Sequence, residues 1–284
     1  MPTFGPVHIL EPQASHTHTI IFLHGRGSTG EEFAEELLES RLSTGKTLQE
    51  QLPSWRWVFP SSPELWSTAF EEKMPAWFEA HSLTDVTARQ DLQMDGIRAS
   101  VRYLIHLLEE ETEKLGGAAD RVVLGGISQG GAVGMWTLLC AGDGNFRRLG
   151  GFVGTSTWLP FAESLEWYLG GENQTKEHST ENNAQVSEAD AFVEAMTASA
   201  RGVLHQRGSS EPALHSVPVF LAHGTDDAYV NIELGRQAAH VLRKIGLKVD
   251  WREYSGADQE GHWLKEPEEF DDIARFLESA LASI

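Results

Sequence analysis

Residues 121–140 read Arg-Val-Val-Leu-Gly-Gly-Ile-Ser-Gln-Gly-Gly-Ala-Val-Gly-Met-Trp-Thr-Leu-Leu-Cys. Arg121–Leu124 is a short β-branched run that predicts a strand, and Gly130–Cys140 predicts a helix behind it. Between them, Gly126-Ile127-Ser128-Gln129-Gly130 fits the Gly-x-Ser-x-Gly pattern. A turn that tight leaves no room for side chains beside the serine. Glycines therefore flank it, and the hydroxyl stands at the top of the sheet. The helix that follows turns free backbone N–H groups toward developing negative charge. A bare five-residue match is common, and an ordinary serine in a tight turn is the competing reading. A strand before and a helix after are what give the pattern chemical meaning.

The same strand–loop–helix rhythm runs outward in both directions. Upstream, Thr19–Leu23 leads directly into His24-Gly25-Arg26-Gly27, Trp55–Phe59 is closed by Pro60, and 88–115 carries Ile97, Val101, Leu104, Ile105 and Leu108 at helical spacing. Glu109, Glu110, Glu111 and Lys114 are read as the wetter end of that helix. Downstream come strands over Leu149–Val153, Val217–Ala222 and Lys248–Tyr254, with amphipathic helices over Glu233–Ile245 and Glu268–Leu281. This alternation predicts an α/β fold with a mostly parallel central sheet flanked by helices on both faces. All 284 residues are expected to form one domain. Within it, residues 161–215 look like a polar insertion: 170–190 is almost without large apolar residues, and 191–204 suits a helix. Such a segment either covers the site or lies beside it as a solvated loop.

A serine hydroxyl needs an imidazole within hydrogen-bond reach to become a nucleophile. Twelve histidines are available. His24 and His223 each precede a glycine at a strand end, where an imidazole usually satisfies its neighbours. His106 and His240 fall inside helices. His262 lies in Gly256-Ala257-Asp258-Gln259-Glu260-Gly261-His262-Trp263, a loop after the last strand, at the same end of the sheet as Ser128. It is the candidate base. The orienting carboxylate should follow a late strand, and Asp226 and Asp227 in His223-Gly224-Thr225-Asp226-Asp227 compete for that place, with Asp227 preferred. Serine, acid and histidine in that chain order fit an α/β-hydrolase fold. The N–H groups of Gln129 and Arg26 are the candidate oxyanion donors.

Composition narrows the partners. A formal charge of −20 disfavours nucleic-acid backbones and anionic membrane surfaces. A single cysteine, Cys140, cannot form an internal disulfide, and no run approaches a membrane span. A soluble, cytoplasmic protein is expected, with no integral membrane segment and no leader at Met1–Pro6. Whether it forms a homodimer stays open. No cofactor is called for, and no compact His/Cys/carboxylate cluster suggests a metal.

Taken together, several motifs resemble the phospholipase/carboxylesterase family of α/β-hydrolases, which includes acyl-protein thioesterases and small lysophospholipases. They are Leu23-His24-Gly25-x-Gly27, Phe59-Pro60-x-x-Pro63, Met74-Pro75-x-Trp77-Phe78, Gly126–Gly131, Trp158-Leu159-Pro160, His223-Gly224-x-x-Asp227-x-x-Val230 and Gly261-His262. The resemblance implies a serine hydrolase acting on esters or thioesters of small-molecule or lipid-type acyl groups. It also favours Asp227 over Asp226. With their apolar surface, it implies that Trp66, Met74, Trp77, Phe78, Trp158 and Leu159 line an acyl groove. The chain departs from the family's pattern at Ser28 and Glu79, where the family usually has Asp, and in its longer insertion. Amide or carbon–carbon bond hydrolysis on the same fold, or a catalytically silent binding protein, are the alternatives.

Overall fold

The structure is a computed structural model that describes residues 2–141, 149–169, 187–204 and 217–281. Its centre is a seven-stranded sheet of β1 (Val7–Leu10), β2 (His18–Leu23), β3 (Trp55–Pro60), β6 (Val122–Ile127), β7 (Gly151–Thr155), β8 (Pro218–Gly224) and β9 (Lys248–Tyr254). In space the order is β1-β3-β2-β6-β7-β8-β9. Only β1 runs antiparallel, against β3; every other pairing is parallel. Every residue of β2, β3, β6 and β7 is buried, which is why these strands read as unbroken apolar runs rather than alternating ones.

Alternation decides which layer each residue joins. Ile20, Phe22, Trp57, Val123 and Phe220 pack on one face with α1 (Gly30–Glu39), α2 (Leu48–Gln51) and α8 (Glu268–Leu281) through Phe33, Leu37, Leu48, Phe270 and Ile273. Their neighbours Ile21, Leu23, Leu124 and Leu221 pack on the other face. There they meet Ile97 and Leu104 of α3 (Gln93–Lys114), Val133 of α4 (Gln129–Cys140) and Val241 of α7 (Ile232–Lys244). Each buried aliphatic or aromatic side chain contributes about 1.5–3 kcal/mol.

Several details differ from the sequence-based expectations. The long helix starts at Gln93 rather than 88, because Arg89 adopts a left-handed φ of 50° and a single 3-10 turn intervenes. Glu111 is buried, not wet: it pairs with Arg56 at 3.1 Å and Lys114 at 2.7 Å and accepts from Thr19 Oγ1 at 3.3 Å. A hairpin of β4 (Glu64–Ser67) and β5 (Glu72–Pro75) stands beside the sheet. The described parts of the 161–215 stretch are α5 (Ala162–Leu169) and α6 (Glu188–Leu204). Phe192 of α6 packs against Trp136 and Phe161 with ring centroids 5.3 and 4.8 Å apart, so this helix rides along α4. The polar run over 170–186 and the return loop over 205–216 lie outside the described residues. Among the described residues no helix is long and apolar enough to cross a membrane, and no group of His, Cys, Asp and Glu is arranged to hold a metal.

Candidate active site

The turn from β6 into α4 is as sharp as the glycine spacing demands. Ser128 sits at φ 53°, ψ −123°, a conformation that costs a non-glycine residue strain and that marks functional turns. A Cβ on Gly126 would fall 2.5 Å from Gly130 C, and one on Gly130 would fall 2.5 Å from both Leu23 O and His24 O. The strain is held by neighbours. Ser128 N–H donates to Thr155 O at 3.0 Å, and Thr157 Oγ1 donates to Ser128 O at 2.7 Å.

Asp227 and His262 meet from two later loops. His262 Nδ1 donates to Asp227 Oδ2 at 2.8 Å, which leaves Nε2 of the neutral ring as the acceptor. Asp227 Oδ1 accepts the N–H groups of Tyr229 and Val230, each at 2.9 Å. Burial works against a charge on Asp227. Hydrogen bonds from His223 and His262 and the Val230 N–H outweigh it, holding the carboxyl far below the usual carboxylate range. Asp226 turns elsewhere: its Oδ2 accepts Gly256 N–H at 2.8 Å and so ties the β8 loop to the β9 loop.

The loop after β2 is braced from three sides. His24 Nδ1 donates to Gly25 O at 2.6 Å while Nε2 accepts Ser62 N–H at 3.0 Å. Burial depresses this imidazole to about 4. Gly27 N–H donates to Pro75 O at 2.8 Å, and the Arg26 guanidinium donates to Ala80 O at 3.1 Å and lies over Phe70, 5.0 Å from its ring centroid. Gln129, at the first helical position, has no intrahelical acceptor for its N–H.

A cleft of about 470 Å³ brings Ser128, His262, Gly25 and Arg26 to one surface. Its walls are Phe33, Leu83, Ile127, Tyr229 and Trp263, with Glu36 and Glu260 also bordering it. None of the six expected groove residues borders this cleft. Trp77 and Phe78 are fully buried and act as a strut. Gln129 Oε1 accepts Trp77 N–H, Gln129 Nε2 donates to Phe78 O, both at 2.8 Å, and Trp77 Nε1 donates to His24 O at 2.9 Å. Trp158 is buried edge-on against Phe78. Leu159 borders a separate cavity of about 360 Å³ with Phe161 and Gln237. Trp66 is exposed on β4 and Met74 half-buried on β5. Sequence reasoning missed the walls instead. Phe33 and Glu36 lie on α1, whose start was signalled by the Thr29-x-x-Glu32 capping box that the structure forms.

Two family models match the chain: phospholipase/carboxylesterase over residues 5–182 and the prolyl oligopeptidase family over 105–283. Acyl-protein thioesterase 1 of Yarrowia lipolytica is 30% identical, covering 98% of both chains. Acyl-protein thioesterase 1 of Gibberella zeae is 29% identical, covering 95% of this chain and 94% of its own. Among solved structures, Zea mays acyl-protein thioesterase 2 superposes with a TM-score of 0.68 at 23% identity, covering 98% of this chain and 99% of its own. Esterase PE8 does so with 0.62 at 18%, covering 96% and 97%. At those identities the superpositions carry the fold alone.

Proposed function

The chain belongs to the phospholipase/carboxylesterase family, and from that premise we propose that it hydrolyses esters or thioesters of small or lipid-type acyl groups through an acyl-Ser128 intermediate. The observation that carries the reading is the 2.8 Å bond to a buried, charge-holding Asp227 from the Nδ1 of His262, which borders the same cleft as Ser128.

The chemistry follows from those placements. His262 Nε2 takes the Ser128 proton as Oγ attacks the acyl carbonyl, and Asp227 holds the ring in the required tautomer. The N–H groups of Arg26 and Gln129 meet the oxyanion; loss of one such donor typically costs 10²–10³-fold in rate. The imidazolium then protonates the leaving alcohol or thiol. Water enters, His262 takes its proton in turn, and the acid departs. The bracing of the β2 loop on Trp77 and Pro75 supports the oxyanion assignment, since preorganised donors lose nothing to reorientation during the reaction. The apolar cleft walls suit an acyl or leaving group of modest size. With its lone cysteine, the protein is read as cytoplasmic.

Steady-state hydrolysis of p-nitrophenyl esters from acetate to palmitate, with Ser128→Ala alongside, tests the reading. Turnover that falls by roughly 10⁶-fold in the variant is expected; no turnover with any ester and no phosphonate label on Ser128 would sink it. The prolyl oligopeptidase match over the half holding Ser128, Asp227 and His262 favours amide cleavage as the second reading. Peptide p-nitroanilides in the same panel decide it: cleavage on a par with the best ester moves the assignment to an amidase.

A further inference from the structure

His223 is the penultimate residue of β8, and its side chain has no exposed surface. Its Nε2 lies 2.9 Å from Val230 O and 3.3 Å from Asp227 Oδ2. A carbonyl and a carboxylate both accept, so Nε2 carries the ring proton and shares it between them. Nδ1 is buried and has no partner among the described residues. It is backed by Gly235 of α7, where an added Cβ would stand 2.5 Å away. The ring also lies against Trp251 of β9, with centroids 6.3 Å apart.

A buried ring nitrogen left bare is a cost to the fold. Leucine would fill much of the same space without it, so the value of the imidazole lies at Nε2. That atom closes a circuit. Val230 offers its carbonyl to His223 and its N–H to Asp227 Oδ1, while Asp227 Oδ2 faces His223. The carboxylate is thereby fixed in plane and in register with His262 Nδ1.

We propose that His223 is a positioning residue for the reaction, aiming the Asp227 carboxylate at His262 from within the core. The proposal rests on the acyl-Ser128 reading. The other charges near the ring are Asp227 itself and Glu253 on β9, and Glu253 is already taken up by Arg236 and by Trp251 Nε1. His223 therefore acts through one carboxylate.

The test uses the full chain with His223→Leu, His223→Gln and Gly235→Ala. The glutamine amide reaches the place of Nε2 and keeps a donor there. Gly235→Ala presses on Nδ1 without touching the reacting groups. Expected for His223→Leu is a kcat lower by roughly ten- to a hundredfold, the range typical of lost orienting partners, with KM within about twofold. His223→Gln should recover most of kcat. The far-downfield proton NMR resonance of the His262–Asp227 bond should shift or broaden in His223→Leu and Gly235→Ala and return in His223→Gln. A folded His223→Leu with wild-type kcat and resonance overturns the proposal, as does a folded His223→Gln as slow as His223→Leu. If His223→Leu does not fold, Gly235→Ala decides: kcat and resonance both unchanged overturn it. A wild-type protein without ester turnover or Ser128 labelling is instead a failure of the acyl-enzyme reading, and the resonance still reports on His223.

Discussion

Asp227, in the loop after β8, and Glu269, just past the histidine loop, are carboxylates shut away from water, and they hold their protons in opposite ways. Asp227 receives the N–H groups of Tyr229 and Val230 and the imidazoles of His262 and His223, and it stays charged. Glu269 sits at the start of α8, three residues beyond Pro267's predecessor in the loop that leads from His262. Its Oε2 accepts one donor, Lys265 N–H at 2.9 Å, and its Oε1 has no partner among the described residues. Burial pushes its carboxyl up to about 8, only partly offset by the Lys265 bond. Both side chains are shut off from solvent, Glu269 the more deeply. That depth and the number of donors together decide which carboxylate is an anion, and therefore which can stabilise an imidazolium.

The sharpest way to break this contrast is Asp227→Asn. The amide keeps the shape and loses the charge and the acceptor for His262 Nδ1. Turnover of a p-nitrophenyl ester should fall by about 10⁴-fold, as expected when the imidazole is left in the wrong tautomer. Retention of more than a tenth of wild-type kcat would mean that another group orients His262. A third buried carboxylate, Glu111, is neutralised by cations rather than N–H groups. Arg56→Met strips it of its buried cationic partner at the sheet end away from the cleft. With Lys114 left as its cation, the half-broken network should cost about 3 kcal/mol in urea unfolding, the low end for a broken buried pair, and Arg56→Met combined with Glu111→Leu should recover most of it.

The mildest test is Glu269→Gln. A carboxyl raised from 4.5 to about 8 by folding contributes stability fully below 4.5 and loses it as pH rises through 8. Glutamine keeps an acceptor for Lys265 N–H and never ionises. The variant should match the wild type near pH 5 and exceed it near pH 9 by on the order of 2–4 kcal/mol. Equal stability at both pH values would show that Glu269 finds a donor when it ionises. Asp227 contributes with the opposite sign, present at neutral pH and lost as acid protonates it.

Much of this was legible in the sequence, for physical reasons that differ by region. Strands buried on both faces announce themselves as unbroken apolar runs, so β2, β3, β6, β7 and β8 were found within a few residues. Ser128 was legible because only glycines fit around it, and His262 and Asp227 because each follows a strand end on the same edge. The cleft walls were not. An aromatic residue looks the same whether it borders a cavity or fills the core, so Trp77, Phe78 and Trp158 were expected at the groove and lie in the interior. Phe33 and Tyr229 were passed over, although the capping box at Thr29 marked the helix that carries Phe33. The burial of Glu111 was hidden because Arg56, its main partner, is remote in sequence and meets it only through the sheet.

Gly130 stands in van der Waals contact with the carbonyls of the β2 loop, so the elbow that lifts the nucleophile is also the seat of the loop proposed to receive the oxyanion. The two halves of the site are in this sense one inheritance. A lineage is freer to exchange the exposed wall residues Glu36 and Tyr229 one at a time and so explore new substrates. It has no such freedom at Gly130, where a single methyl group would demand a simultaneous concession from a strand more than a hundred positions upstream. Specificity is therefore open to gradual drift here, while the capacity for the reaction passes on whole.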